Sequence, residues 1–314
     1  MRQNRVPGGG RKMREFITVT YTLPCSRLAA GRQFSFVLLA DLHGKMYGEG
    51  QSRLLKAVCA VKPDMILCAG DMILRRGEGG FGAAQTLLCA LARDYPVYYA
   101  MGNHEARLIA EEMILGCSGP GRMSRITEKS DIVPESGWIR TPSHKRGAMR
   151  ELVHRYQEFE ERIGSSGVQI LINDHKRIRL HGCTVDIYGL YLPIDCYKKP
   201  FAAGLTADDI TCRLGGRPAE DGFSILLAHH PGYAKSYFSW GADLTLSGHY
   251  HGGMVRLTKR IGLVSPEPRL FPPYCCGDFH KNGRHLLVSA GIGEHTIPIR
   301  IHNPRELVNV ICRG

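Results

Sequence analysis

Residues 247–253 read SGHYHGG and follow a mostly apolar run at 242–246. In a strand, His249 and His251 would point to opposite faces of a sheet. In a loop bounded by glycines, both imidazoles can turn toward one point, or toward two neighbouring points, because glycine lets the backbone take positive φ. The stretch therefore predicts a loop at a strand end whose histidines meet polar groups from elsewhere in the chain.

Four other apolar runs end in the same way. They are 34–40 before DLH (41–43), 65–69 before GD (70–71), 97–101 before GNHE (102–105) and 224–228 before HHP (229–231). Short continuous apolar runs are typical of strands buried on both faces. In open α/β sheets, ligand sites form just beyond the carboxyl ends of the strands. The five strand ends would bring together one set of polar side chains: Asp41, His43, Asp71, Asn103, His104, His229, His249 and His251.

Helical patterns separate the first three runs. Apolar residues lie on one helical face at 51–61 and again at 82–93, so strands and helices alternate. That order predicts parallel βαβ units with right-handed crossovers. Further helices are predicted at 105–115 and 148–163, and further strands at 17–21, 168–172, 178–180, 184–190, 254–257, 285–289, 297–301 and 307–311.

The strands predicted between 168 and 190 are short and separated by polar residues, which favours antiparallel hairpins. We therefore expect a single domain at 16–314 with two sheets, the first half mainly parallel and the second half mixed. Residues 116–147 have weak apolar periodicity, and a loop of this length is typical of a lid or a substrate loop.

The N-terminal residues 1–15 are basic and rich in glycine, which predicts a disordered tail. No apolar core follows the charges, so the stretch does not have the pattern of a signal peptide. No apolar run reaches the ~20 residues that span a bilayer, and no transmembrane segment is expected.

The composition, 43% hydrophobic and 22% charged, is that of a soluble globular protein. Lysine and arginine outnumber acids 41 to 29, and the formal charge of +12 favours anionic partners such as phosphate esters, nucleic acid or acidic lipid headgroups. A generally basic surface is the alternative. The 11 cysteines form no CxxC pair, which predicts reduced thiols in a cytoplasmic protein. Cys275 and Cys276 are adjacent, and we interpret them as apolar fillers rather than reactive thiols.

The polar set has the chemistry of a metal centre. Imidazole and carboxylate together suit divalent metals such as Mn, Fe or Zn. Eight candidate groups exceed the four ligands of one tetrahedral ion, and they suffice for two ions that share a carboxylate. Two ions ~3.5–4 Å apart clamp phosphate oxygens and lower the pKa of a bridging water, so the set predicts phosphoryl chemistry.

Some members of the set have simpler interpretations when taken alone. Asn103 could be a turn residue and Asp71 a helix N-cap. His229 and His230 are adjacent, and only one of them is expected to be a ligand because neighbours in a strand face opposite ways.

The series DLH, GD, GNHE, HHP and GHYHGG, in this order, resembles the calcineurin-like metallophosphoesterases from about residue 16 to the C-terminus. Residues 270–308 (LFPPYCCGDFHKNGRHLLVSAGIGEHTIPIRIHNPRELV) resemble a bacterial branch identified as predicted phosphohydrolases or phosphodiesterases. The resemblance implies an α/β fold, a four-layer αββα sandwich of two mixed sheets flanked by helices, with the site at one edge.

The resemblance also implies a ligand assignment. The first metal would be held by Asp41, His43, Asp71 and His251. The second would be held by Asp71, Asn103, His229 and His249, with Asp71 bridging. The family's phosphate-contacting histidine matches His104, and histidine is suited to protonate a leaving oxygen near neutral pH.

Two features depart from the family pattern. Many members carry an acid three residues after the bridging Asp, which orients this histidine, and here that position is Leu74. Members of the bacterial branch often begin with a membrane anchor, and none is evident here. Arg75 and Arg76 follow Asp71 and could bind substrate phosphate, although solvated arginines are the alternative. Tyr250 could line the pocket or simply pack.

The leading hypothesis is a phosphoesterase that cleaves a phosphodiester or phosphomonoester by attack of a water bridging two metals. A nuclease or a phosphoprotein phosphatase could use the same site, although no nucleic-acid-binding motif is evident. A non-catalytic metal-binding scaffold that recruits a partner through 116–147 is a further alternative. The sequence identifies no protein partner.

Overall fold

The computed structural model describes residues 15–75, 80–117, 143–197, 204–256, 258, 262–263, 270–294 and 299–314. The predicted tail and the predicted loop at 116–147 lie outside these ranges except at their edges. Arg76 lies outside them as well.

The first sheet has six strands in the order β1-β12-β2-β3-β4-β5. Its strands are β1 (Ile17–Pro24), β2 (Gln33–Leu39), β3 (Met65–Ala69), β4 (Val97–Ala100), β5 (Gln169–Leu171) and β12 (Glu306–Arg313). β2 to β5 run parallel, because helices return the chain to the same edge each time. The helices are α1 (Ser52–Val61), α2 (Gly82–Leu91), α3 (Asn103–Ile114) and α4 (Arg146–Ser165).

The second sheet also has six strands, in the order β10-β11-β9-β8-β7-β6. Its strands are β6 (Asp174–Leu180), β7 (Cys183–Gly189), β8 (Phe223–Leu227), β9 (Leu244–Ser247), β10 (Gly277–Lys281) and β11 (Arg284–Val288). The three inner pairings are parallel and the two outer pairings are antiparallel. Two helices accompany this sheet, α5 (Ala207–Leu214) and α6 (Ala234–Trp240).

Alternation along the strands divides the apolar residues between two sides of each sheet. On β2, Leu38 faces a core shared with Ile225 and Leu246 of the second sheet, whereas its neighbour Val37 packs toward Leu54 of α1. A third core joins the second sheet to α5 and α6. The order of layers is helices, sheet, sheet, helices, which confirms the predicted αββα sandwich.

Two predicted strand pairings differ from the structure. β5 pairs with β4 in the first sheet, so only β6 and β7 form the expected antiparallel hairpin. β12 also belongs to the first sheet, between β1 and β2, although it closes the predicted second half. Sequence order cannot reveal such a return, because pairing partners far apart in the chain leave no local pattern.

The prediction of a strand at 254–257 is also wrong for residues 254–256, the part of this segment that the structure describes. The segment makes only single bridges, Val255 with Ile301 and Arg256 with Gly262, because it directly follows a turn at Gly252 and Gly253. The predicted strand at 297–301 is described only at its last three residues. α3 begins at Asn103, two residues earlier than predicted, because the Glu105 carboxylate accepts a hydrogen bond from the Gly102 amide and satisfies the start of the helix.

All eleven cysteines fall within the described ranges and none forms a disulfide, as predicted. Among the described helices, none combines the length and the apolar character needed to cross a membrane.

Candidate metal centre

The carboxyl ends of β2, β3, β8 and β9 meet where the two sheets adjoin, and their polar side chains converge there. Nε2 of His43 lies 3.0 Å from Nε2 of His251. The Asp41 carboxylate is 3.4 Å from Nε2 of His251, and the Asp71 carboxylate is 3.3 Å from Nε2 of His229. The Asp71 carboxylate is also 3.7 Å from Nε2 of His43. Asp71 therefore lies between the histidines of both sheets.

Asn103 and His249 complete the second side of the cluster. The Asn103 side-chain oxygen lies 2.9 Å from Nδ1 of His249. Three groups of side chains each bring their possible ligand atoms within 4.8 Å of one another: Asp41 with His43 and His251, His43 with Asp71 and His104, and Asp71 with His229 and His249. The structure thus brings together all eight residues named from the sequence.

The loops that carry these residues have unusual backbone conformations. Asp41, His43, Asp71, His249 and His251 all have positive φ, between 47° and 71°. Non-glycine residues rarely adopt this conformation, and its cost is of the order of 1–3 kcal/mol each. Such strain concentrates at functional sites, where the surrounding structure enforces it.

Glycines at two positions allow the loops to approach the carboxylates. A Cβ on Gly102 would lie 2.2 Å from the Asp71 carboxylate, and a Cβ on Gly248 would lie 2.5 Å from the Asp41 carboxylate. With glycine there, the His104 amide donates to Asp71 at 2.9 Å and the His249 amide donates to Asp41 at 3.1 Å. The glycines of GNHE and GHYHGG therefore orient both carboxylates.

His229 provides a test of whether these residues suit a metal. Its Nδ1–H donates to the carbonyl of Ala69 at 2.6 Å, so in the neutral ring Nε2 is the lone-pair atom. Nε2 is buried and has no hydrogen-bond partner among the described residues, yet it faces the carboxylate of Asp71. A metal-ligating histidine usually has its second nitrogen held in this way. The donor set therefore fits a divalent ion.

Burial and charge act in opposite directions on the acids. Burial raises the pKa of Asp41 to about 7. Burial alone would also raise the pKa of Asp71, but the nearby imidazoles of His229, His104 and His43 hold it well below its usual range. Burial alone would lower the pKa of His229, but the attraction of Asp71 and Asp41 outweighs it and raises that pKa to about 9. The cluster is a strongly coupled set of charges withdrawn from water.

Glu105, the last residue of the GNHE motif, is fully buried and organises the Asp71 loop. Its carboxylate accepts hydrogen bonds from the amides of Asp71, Met72, Ile73 and Gly102, at 3.1, 3.0, 3.3 and 3.0 Å, and from the Tyr99 hydroxyl at 2.5 Å. Burial, followed by repulsion from Asp71, raises the pKa of Glu105 to about 7. This role was not predicted from the sequence, although an acid three residues after a helix-starting glycine is a recognisable signal.

Arg300 supports the opposite side of the cluster. Its guanidinium donates to the carbonyls of Ala290 and Gly293, at 2.9 and 2.8 Å, and to Nδ1 of His251 at 3.1 Å. These bonds tie the segment before β12 to the His251 loop. No sequence signal pointed to Arg300, because it lies 49 residues from His251 in a segment without a motif.

His104 has an orienting partner that the sequence left unidentified. The backbone amide of Arg75, next to Leu74, donates to Nδ1 of His104 at 3.4 Å. In the neutral ring, the proton is therefore on Nε2. Burial lowers the pKa of His104, which favours that neutral form. The ring lies edge-on to His43, with centroids 4.8 Å apart.

The two residues named for substrate contact have different positions. Arg75 borders a cavity of about 330 Å³ that opens beside the cluster, lined by Arg75, Asn103, His104, Arg107, Ile194, Tyr197 and His249. Tyr250 is fully buried and packs against His230 and His249, with centroids 5.5 Å apart in both cases, so it supports the histidines and does not line this cavity.

His230 is not part of the three groups of possible ligand atoms; its ring instead packs against that of His249, with centroids 4.4 Å apart. Its Nδ1 accepts a hydrogen bond from the amide of Gly232 at 2.9 Å.

The fold and the cluster define an α/β domain of two mixed sheets with a candidate metal centre at their carboxyl ends. Residues 34–253, more than half of the chain, match the family described as calcineurin-like phosphoesterase. The chain belongs to this family. Membership confirms both the resemblance seen in the sequence and the predicted enzyme class, a hydrolase acting on phosphoester bonds.

Curated relatives carry related names. The chain is 25% identical over 283 residues to "Transmembrane protein with metallophosphoesterase domain" of Danio rerio, covering 88% of this chain and 52% of that protein. It is 22% identical over 285 residues to "Uncharacterized metallophosphoesterase YkoQ" of Bacillus subtilis, covering 89% and 84%. It is 24% identical over 288 residues to "UDP-2,3-diacylglucosamine pyrophosphatase LpxG" of Chlamydia muridarum, covering 83% and 77%. The chain spans about half the length of the first two curated relatives it matches.

Proposed function

We propose that this chain is a metal-dependent phosphoesterase that uses two divalent ions, Mn, Fe or Zn, to hydrolyse a phosphodiester or phosphomonoester. The observation that carries the proposal is the position of Asp71. One of its carboxylate oxygens lies 3.3 Å from Nε2 of His229 and 3.7 Å from Nε2 of His43, which belong to opposite sides of the cluster. A carboxylate in that position can be shared by two ions.

The proposed ligands fall into two groups that share this residue. Asp41, His43, Asp71 and His251 would hold one ion. Asp71, Asn103, His229 and His249 would hold the other. When bound, such ions polarise phosphoryl oxygens and lower the pKa of bound water to near neutrality.

His104 would act on the leaving oxygen. The Arg75 amide directs the ring so that a neutral His104 carries its proton on Nε2. This Nε2–H can donate a hydrogen bond to the leaving oxygen as the ester bond breaks, and a ring that has taken up a second proton can transfer a proton as a general acid. Because the carboxylates are buried away from water, the attraction between opposite charges at the site is stronger than it would be in solution.

The experiment uses the purified chain, freed of metal and then supplied with Mn²⁺, Zn²⁺ or no ion. Hydrolysis of bis(p-nitrophenyl) phosphate and p-nitrophenyl phosphate is measured in parallel. Turnover that requires added metal supports the proposal, and preference for the first ester indicates a phosphodiesterase. Metal-independent turnover equal to that of the loaded protein would contradict it.

Two other candidates use the same site. The name of the Chlamydia relative supports a diphosphate ester as a second substrate class. The charge of +12 permits a nuclease, whose binding of DNA or RNA would fall steeply with salt. A phosphoprotein phosphatase would appear instead as turnover of phosphopeptides, and a non-catalytic scaffold as full metal binding without turnover of any ester.

Two further parts of the proposal concern the whole chain. We take residues 16–314 as one domain, which is supported by the pairing of β12, near the C-terminus, with β1. Free thiols throughout the chain support a reducing, cytoplasmic location.

A further inference from the structure

The cavity beside the metal cluster differs in chemistry from the cluster itself. Its volume of about 330 Å³ lies at the lower end of the range of small-molecule sites. Two of its seven lining residues, Arg75 and Arg107, are arginines, and none is acidic. The cavity therefore presents positive charge directly next to the histidine that we propose as general acid.

Arg107 carries one buried donor that the described chain leaves without an acceptor. It follows Asn103 by four residues and His104 by three on α3, so the three side chains lie on one helical face. Its Nε atom is buried and has no hydrogen-bond partner among the described residues. A buried donor without an acceptor is costly, and in native proteins it usually has a functional reason.

Arg75 approaches the same space from the Asp71 loop. Its backbone amide is held against His104, which places its side chain at the cavity edge. Arg75 and Arg107 line the same cavity as the His104 ring, so both side chains bring positive charge to the space around it.

The opposite wall can hold an uncharged group. Ile194 provides an apolar surface, and Tyr197 packs its ring 5.3 Å from that of His249. The Tyr197 hydroxyl is buried and lacks a hydrogen-bond partner among the described residues. A tyrosine hydroxyl is a hydrogen-bond donor and could contact an oxygen atom of a substrate.

We infer that Arg75 and Arg107 form an anion subsite for a second phosphoryl group, so that the substrate is a diphosphate diester rather than an isolated phosphodiester. The inference rests on the proposed function. One phosphoryl group would lie at the metal cluster and its neighbour between the two guanidinium groups, which match phosphate oxygens through paired N–H donors.

The reaction is a hydrolysis that needs no further reactant. Water adds to phosphorus at the cluster, and the bond from that phosphorus to the bridging oxygen breaks. The diester R–O–PO2⁻–O–PO2⁻–O–R′ and one water give R–O–PO3H⁻ and R′–O–PO3H⁻. The leaving phosphate monoester retains the bridging oxygen, and the arginines stabilise the charge that forms on it.

The experiment compares the methyl esters of adenosine 5′-monophosphate and adenosine 5′-diphosphate, which differ by one phosphoryl group. The Mn-loaded protein is assayed with both, and the products are separated by ion-exchange chromatography. We expect kcat/KM to be about tenfold or more higher for the diphosphate ester, and because a phosphate monoester is also a better leaving group than methoxide, the share due to the subsite is measured by the arginine variants. Adenosine monophosphate and methyl phosphate are the expected products.

Variants test the two arginines directly. Arg107→Gln should lower kcat/KM for the diphosphate ester about tenfold more than for the monophosphate ester, mainly through KM. Arg107→Lys should recover part of this difference because it restores charge without the planar fork. Arg75→Gln is a second test if Arg107→Gln fails to fold. Arg93→Gln, an exposed arginine away from the cavity, is the matched control and should change neither value.

Equal kcat/KM for the two esters, or equal losses on both in Arg107→Gln and Arg75→Gln, would overturn the subsite while leaving the proposed phosphoesterase intact. Failure of the Mn-loaded protein to cleave bis(p-nitrophenyl) phosphate and both adenosine esters would overturn the proposed function and the subsite with it.

Discussion

The two sheet edges that meet at the metal cluster contribute different chemistry. The first sheet supplies Asp41, Asp71 and Asn103, together with a single candidate ligand histidine, His43. The second sheet supplies only histidines: His229, His249 and His251. Oxygen ligands thus come from one edge and most of the nitrogen ligands from the other, so neither half of the chain contains a complete site.

The two edges are also held in different ways. On the first, the buried carboxylate of Glu105 collects the backbone amides of the Asp71 loop. On the second, a backbone carbonyl fixes His229 and the guanidinium of Arg300 holds His251. The acidic edge is therefore stabilised by amide donors, whereas the imidazole edge is stabilised by groups that fix ring orientation.

Replacement of the shared residue should break the site on both edges at once. Asp71→Asn keeps the shape of the side chain but removes the charge that two ions would share. We expect kcat for bis(p-nitrophenyl) phosphate to fall at least ~10³-fold, since such ions supply several kcal/mol of transition-state stabilisation. His251→Ala should have a similar effect.

The control for these variants is Asp278→Asn on β10, where the carboxylate pairs with His285 away from the cluster. Circular dichroism would show whether each variant retains its fold. A folded Asp71→Asn protein with full activity would refute the assignment of this residue.

Glu105→Gln tests the support of the acidic edge. The glutamine side chain has one acceptor oxygen and a donor NH2 group. The NH2 group would face backbone N–H donors that now bond to the Glu105 carboxylate. We expect the affinity for Mn²⁺ to fall by about 10–100-fold, the usual effect of losing the partner of a metal ligand. Equilibrium dialysis of the metal-free protein measures it.

Tyr99→Phe is the matched comparison, because it removes only one of the five donors to Glu105. Its effect on Mn²⁺ affinity should be only a few-fold. Equal affinities in Glu105→Gln and the unchanged protein would show that the Asp71 loop holds its shape without the carboxylate.

Arg300→Met tests the support of the imidazole edge. It removes donors to His251, Ala290 and Gly293, so the His251 ring should lose its fixed orientation. We expect about a tenfold loss of Mn²⁺ affinity, because the backbone of the His251 loop keeps its own hydrogen bonds. Arg300→Lys should restore part of it, whereas equal affinity in Arg300→Met and the unchanged protein would argue against a role for Arg300.

The buried thiol of Cys275 near the imidazole edge should react with alkylating reagents more slowly than exposed thiols. Burial raises the pKa of Cys275 to about 11, so at pH 8 only about one thiol in 10³ is ionised. Cys59 and Cys212 are exposed. Iodoacetamide at pH 8, followed by peptide mass spectrometry, should label these two first. Early labelling of Cys275 would instead indicate a reactive thiol beside the site.

The site was far easier to predict from the sequence than the pairing of the strands. The ligands lie just after apolar runs, so Asp41 and His249 could each be assigned to the carboxyl end of a strand by local pattern alone. The position of β12 between β1 and β2 could not be predicted, because that pairing depends on contacts nearly 300 residues apart. The four-layer arrangement was predicted from the resemblance to the calcineurin-like metallophosphoesterases and not from local patterns.

The supporting residues show the same limit. Glu105 carries a helix-start signal that local reasoning could have used. Arg107 and Tyr197 carry none, because their importance arises from a cavity that forms only when α3 and the segment at 194–197 come together. Sequence patterns identify groups that share a strand end, whereas groups that meet across elements become visible only in the structure.

The number of metal ions bound per chain decides whether two ions share the Asp71 carboxylate. Metal-free protein is dialysed to equilibrium against Mn²⁺, and the bound ion is measured alongside Asp71→Asn. Two ligand groups that share the Asp71 carboxylate predict about two ions per chain in the unchanged protein and at most about one in the variant. A single ion in the unchanged protein, or two ions retained with equal affinity in Asp71→Asn, would contradict the shared site.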